Sequence, residues 1–174
     1  MLRLMLLRHA KAASPAGVPD LDRPLAPRGR EAAPRMGAYL ADEQLLPDLV
    51  LVSPARRTRE TWDLVGPKLG ATSVEFEPSL YEASASRVLA VVRETADSVR
   101  GLLMIGHNPG LEDLAKLLVG HGDRYAYARL TQKFPTSGLA VIDFAVDGWS
   151  DIAPRAGRLD RFITPKSLGA DEDD

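Results

Sequence analysis

The chain opens MLRLMLLRHA (1–10), and its fold turns on why the apolar run Leu4 to Leu7 stops at the pair Arg8-His9. A targeting peptide, a strand with a solvated end, and a strand delivering two cationic groups to a site would all put charge there. The targeting reading fails on length. Arg3 and Arg8 bracket a run far shorter than the ~7–15 apolar residues of a signal core.

Two later stretches repeat the pattern: LVLVSPARRTRET (49–61) and LLMIGHNPGLEDL (102–114). Apolar runs this short and without alternation suit strands covered on both faces, and LAVIDFAV (139–146) is a fourth. Between them lie amphipathic segments near 28–41, 54–66, 86–99 and 110–119; in the third, Val88, Val91, Val92, Thr95 and Val99 form one stripe. Strand alternating with helix predicts an α/β fold, a three-layer sandwich with a mainly parallel central sheet between helices. RLDRFIT (158–164), beyond a turn at Asp147-Gly148, is expected as an antiparallel edge strand. Pro34 should kink or divide the first helix, since an interior proline costs ~3 kcal/mol. Residues 1–168 read as one domain. Within it, 12–27 is a Pro-containing loop and 120–137 an insertion able to serve as a lid; 169–174 is an acidic tail.

Composition narrows the function. With 174 residues, 45% of them hydrophobic, the chain can bury roughly two-thirds of its unfolded surface. A formal charge of -2 and a pI near 5.9 give no electrostatic case for nucleic acid or an anionic membrane as partner. No run approaches the ~20 apolar residues of a membrane span, so a cytoplasmic protein is expected. The absence of cysteine removes disulfides, zinc thiolates and a cysteine nucleophile. The histidines show no HxH or HxxxH spacing, which disfavours a metal-dependent phosphoesterase, and no metal or cofactor is expected.

Ser53-Pro54 and Asn108-Pro109 read as N-cap and first helical residue, which places both junctions at strand C-terminal ends. In open parallel sheets ligands bind at that edge, where helix N-termini present free N–H groups to anions. Arg57 shares a helix face with Thr61, Leu64 and Val65, whereas Arg56, Arg59, Glu60 and Asp63 form the polar face. An inward arginine pairs with a carboxylate, snorkels to solvent, or meets an anionic ligand. His9 and His107 each end an apolar run, and either alone reads as structural. Together with Arg8 and Arg57 they offer what phosphoryl transfer needs without metal: a nucleophilic nitrogen and cations for the equatorial oxygens.

On these residues the chain resembles the histidine phosphatase, or phosphoglycerate mutase-like, superfamily. LLRHAKA is similar to its Arg-His-Gly motif, SPARRTRET to its second motif and GHNP to its third. A DxxRPLxxxG-like stretch beginning DLDRPL (20–25) resembles the short phosphohistidine phosphatases of the SixA type. The resemblance implies that His9 attacks phosphorus while Arg8, Arg57 and His107 bind the phosphoryl oxygens. It implies a phosphohistidine-bearing protein, or a small phosphate ester, as substrate. Ala10 departs from the usual glycine, and its methyl restricts φ. Ala12 and Pro15 stand where the mutase branch tends to carry serine and asparagine, which disfavours a mutase.

Two further residues keep alternatives open. Glu82, in SLYEAS, is either the acid that protonates a leaving oxygen or a favourable charge beside a helix start. Arg23 is either a substrate contact or half of a loop salt bridge. His121, in VGHGDR, reads as a solvated loop residue. The rival from another class is a noncatalytic phosphate-binding adapter module, which Ala10 and the unsettled acid both motivate.

Overall fold

In a computed structural model, which describes residues 1–169, alternate residues of β1 (Leu2–Arg8) feed two separate cores. Leu2, Leu4 and Leu6 pack with Leu111 and Leu114 on one face, and Met5 and Leu7 pack with Met36 and Leu40 on the other. That double burial explains the lack of alternation in the sequence. The remaining strands are β2 (Leu49–Val52), β3 (Ser73–Phe76), β4 (Gly101–Gly106), β5 (Val119–Gly122), β6 (Leu139–Phe144) and β7 (Gly157–Ile163). They form one sheet in the order β3-β2-β4-β1-β6-β7-β5. Helices α1 (Pro27–Asp42) and α2 (Arg56–Val65) cover one face; α3 (Ala85–Arg93), α4 (Gly110–Leu118) and α5 (Arg124–Gln132) cover the other. The fold is the expected α/β three-layer arrangement. Only β6 runs against the other strands. Arg3 and Asp143 are register partners across β1 and β6 and join through two hydrogen bonds of 2.7 and 2.8 Å.

Four local expectations need correction. β7 is antiparallel to β6, as read, but it is not the edge, because β5 pairs along its outer side. The segment 120–137 is not a lid-like insertion; it contains most of β5 and all of α5, and Phe134 to Ser137 are buried. His121 accordingly lies on strand β5, where it is exposed. Finally, α1 runs unbroken through Pro34. Burial of Met36 and Leu40, worth about 1.5–3 kcal/mol each, offsets the proline's cost. Of the expected acidic tail, all but Gly169 lies outside the described residues.

The loop after β1 is fixed by α1. Ala26 N–H donates to Lys11 O, and Ala13 N–H to Pro24 O, so residues 11–13 lie along residues 24–26. Gly29 makes this approach possible, because a Cβ there would collide with the Lys11 carbonyl oxygen. Gly29→Ala is therefore expected to destabilise the protein by about 1–3 kcal/mol and to lower turnover by displacing the segment that follows His9. Thermal melts and steady-state assays of the variant check both.

Candidate active site

Three parallel strands end together. β1 finishes at Arg8, with His9 next; β4 leads into His107; β2 leads through Ser53 to Arg57, the second residue of α2. Their side chains line a cavity of about 300 Å³ with Lys11, Ala12, Arg23, Asn108 and Thr136. Thus Arg8, His9, Arg57, His107 and Arg23 are brought together. Glu82 is not among the lining residues; it is exposed and has a left-handed backbone with φ 56°.

His9 is buried, and its Nδ1 lies 2.8 Å from the Ala10 carbonyl oxygen. A carbonyl only accepts, so Nδ1 carries the proton and Nε2 of the neutral ring keeps its lone pair. Burial, reinforced by His107, Arg8 and Arg57, pushes the His9 pKa down to about 3. Its nitrogen is therefore unprotonated at neutral pH. Ala10, the departure from the superfamily motif, has no positive φ; its methyl is buried in the α1-side core, and its N–H donates to Thr61 Oγ1 at 3.0 Å. Thr61 in turn donates to Arg57 O at 2.7 Å, which ties the loop after His9 to α2.

Arg57 faces inward and is 7% exposed, whereas Arg56 lies outside and pairs with Glu60 at 2.9 Å. Its partner is Asp20, which sequence reasoning overlooked: Nη1 donates to Asp20 O at 2.7 Å and Nη2 to Asp20 Oδ2 at 3.1 Å. The same carboxylate accepts from Tyr81 O–H at 2.6 Å and from Arg23 at 3.2 Å. Those bonds, the Tyr81 one foremost, hold the Asp20 pKa down at about 2, and the Tyr81 pKa is raised in turn. Asp20 opens the DxxRPL stretch, so its position was legible even though its role was not. Arg23 makes a loop salt bridge and also lines the cavity.

The helix-start signals were read two residues or less too early. α2 has Ala55 at its N-cap and α4 has Pro109, after a cis Asn108-Pro109 bond. Ser53 is instead a site residue: its Oγ lies 2.7 Å from His107 Nε2. His107 Nδ1 is buried without a hydrogen-bond partner among the described residues. Burial first, then Arg57 and Arg8, lower the His107 pKa to about 4. Arg8 donates to Phe134 O at 3.1 Å, and Asn108 Nδ2 reaches the same oxygen at 2.9 Å. Three guanidinium groups and two neutral imidazoles around a small cavity can hold a tetrahedral oxyanion.

Comparison with known proteins agrees with this geometry. The model of the histidine phosphatase superfamily (branch 1) matches residues 4–98. This chain belongs to that superfamily. An uncharacterized Mycobacterium tuberculosis protein is 38% identical over 162 residues, covering 92% of this chain and all of the relative. Among solved structures, SixA of Agrobacterium tumefaciens superposes with a TM-score of 0.81 at 32% identity, covering 94% of this chain and 98% of the other. The protein histidine phosphatase SixA in complex with tungstate gives 0.77 at 26%, covering 96% and 99%. Membership in this superfamily and likeness to SixA support phosphatase activity for this chain, with a phosphate ester or phosphoprotein as the substrate class. Among the described residues no helix is long and apolar enough to cross a membrane.

Proposed function

We propose that this phosphatase acts on phosphohistidine in a protein, through a covalent intermediate on His9 and without metal. The distal ring nitrogen of the phosphohistidine takes a proton from solvent, His9 Nε2 attacks phosphorus, and the bond from phosphorus to the leaving nitrogen breaks to release neutral imidazole. Water then attacks the phosphorylated His9, releasing inorganic phosphate and the neutral imidazole. Arg8, Arg57 and His107 hold the three equatorial oxygens through both steps. The Ala10 carbonyl stabilises the positive charge that the ring carries while phosphorylated.

One observation carries the substrate preference: among the described residues, none that lines the cavity is a carboxylic acid. Asp20 is ionised at neutral pH and Glu82 is not among the lining residues, so neither is placed to protonate a departing alkoxide. A phosphohistidine ring already protonated on its distal nitrogen, as a pKa near ~6.5 allows, departs as neutral imidazole and needs no such help, whereas a hydroxyl leaving group has a pKa near ~15. Small phosphomonoesters are then slow substrates, best when the leaving hydroxyl is acidic. Glu82 acts, if at all, on esters only.

Turnover is expected to survive EDTA, and brief exposure to labelled substrate should leave acid-labile, base-stable label on the enzyme. A phosphohistidine protein should outcompete a panel of phosphate esters by at least about tenfold in kcat/KM. Label on a hydroxyl residue, or activity restored only by a divalent cation, would overturn the mechanism. Phosphate binding with no hydrolysis of any of these substrates would leave the adapter reading in place.

A further inference from the structure

The segment between α5 and β6, read from sequence as part of a lid, is clamped onto the proposed nucleophile. Ser137 N–H lies 3.1 Å from Arg8 O and 3.0 Å from His9 O, and Arg8 N–H donates to Gly138 O at 3.0 Å. The Phe134 carbonyl takes hydrogen bonds from both Arg8 and Asn108. Ser137 adopts a left-handed backbone with φ 62°, a conformation that costs a non-glycine residue energy and that recurs at functional sites. The segment is thus built as a fixed wall.

Within that wall Thr136 is 3% exposed, lines the cavity, and has an Oγ1 that is buried without a hydrogen-bond partner among the described residues. A buried hydroxyl left unpaired costs about 1–3 kcal/mol, and valine would fill the same space without that cost. His107, on the same cavity, has an Nδ1 that is likewise buried without a hydrogen-bond partner among the described residues. Unpaired polar atoms at a preorganised oxyanion site are satisfied when the anion arrives.

We infer that Thr136 is a phosphoryl ligand, its hydroxyl donating to a nonbridging oxygen beside Arg8, Arg57 and His107. This rests on reading the cavity as the phosphoryl site. A neutral donor adds a fixed contact without raising the cationic charge that already disfavours protonation of His9. Because the oxygen it holds is present in both steps, phosphorylation of His9 and hydrolysis of the phosphoenzyme slow together when it is lost.

The test compares Thr136→Val and Thr136→Ser with the unsubstituted chain, using inorganic phosphate and vanadate as probes in calorimetry and in thermal melts. Thr136→Val is expected to weaken both anions about 10- to 100-fold while leaving the ligand-free melting midpoint unchanged or raised. Thr136→Ser should keep affinity within about threefold. Where turnover is measurable, Val should lower single-turnover phosphorylation and dephosphorylation by similar factors. Thr136 also borders a neighbouring cavity of about 340 Å³ lined in part by Arg129 and Thr164. A hydroxyl that serves that cavity instead would leave phosphate affinity unchanged in Thr136→Val, and this result overturns the inference. So does a lowered midpoint, which would give the hydroxyl a structural partner. Phosphate binding without turnover by the unsubstituted chain would sink the proposed reaction but not Thr136's role; no binding at all would sink both.

Discussion

Replacing His9 with alanine is expected to lower turnover by ~10⁴-fold or more, because removing the nucleophile of a covalent mechanism leaves only binding and electrostatic stabilisation. Phosphate binding should survive, since Arg8, Arg57 and His107 remain. The melting midpoint should change little, because the ring is neutral at neutral pH and lines the cavity rather than either hydrophobic core. Undiminished activity in His9→Ala would remove the proposed nucleophile outright.

The same residue gives the mechanism a pH signature. With His9 near pKa 3 and His107 near 4, both rings stay neutral from pH 5 to pH 8. Lowering the pH through their folded pKa values protonates the attacking nitrogen, so these two groups remove activity on the acid side only, well below the ~6.5 of an ordinary histidine. Substrate ionisation near pH ~6 overlaps this range. The direct measurement is therefore an NMR titration of the His9 ring protons, expected flat between pH 5 and 8; a midpoint near 6.5 would contradict it. Linkage has a matching sign. The unfolded chain takes up these protons from pH ~6.5 downward while the folded chain does not, so stability falls as pH drops from ~6.5 toward the folded values. His9→Ala should flatten part of that slope.

Why the core and the clamp were legible, and Asp20 and Thr136 were not, follows from the range of the signals. Runs such as LMLL and LVLV report burial on both faces directly, because strand residues alternate sides within a few positions. Inward and outward arginines separate by helical periodicity alone, so Arg57 could be told from Arg56. Ser53 was seen but misassigned: a serine before proline satisfies a cap and a histidine contact equally well on paper, and only the 2.7 Å approach of His107 decides. Asp20 reaches Arg57 across 37 positions, and Thr136 is part of a wall held to Arg8 across 126 positions. Nothing local in VPDLD or KFPTSG carries such pairings. Pro34 misled for a related reason, since the packing that carries α1 through it comes from the sheet.

Arg57→Lys is expected to reduce kcat/KM by about 10²- to 10³-fold, with most of the loss in kcat, although the positive charge is kept. A guanidinium presents a planar fork that can engage two oxygens at once, while an ammonium is a compact, strongly hydrated point charge. Asp20 accepts from Nη1 and Nη2 and thereby fixes the plane of the fork. Lysine cannot reproduce both the latch and the clamp, so stabilisation specific to the transition state is lost even where ground-state attraction remains. The neighbouring residue supplies the control. Arg56 is half exposed, and its ion pair with Glu60 lies on the surface, so Arg56→Lys should leave activity within about twofold and stability within ~1 kcal/mol. Steady-state kinetics of the two variants separate them, and equal effects would mean that the inward position of Arg57 has no bearing on catalysis.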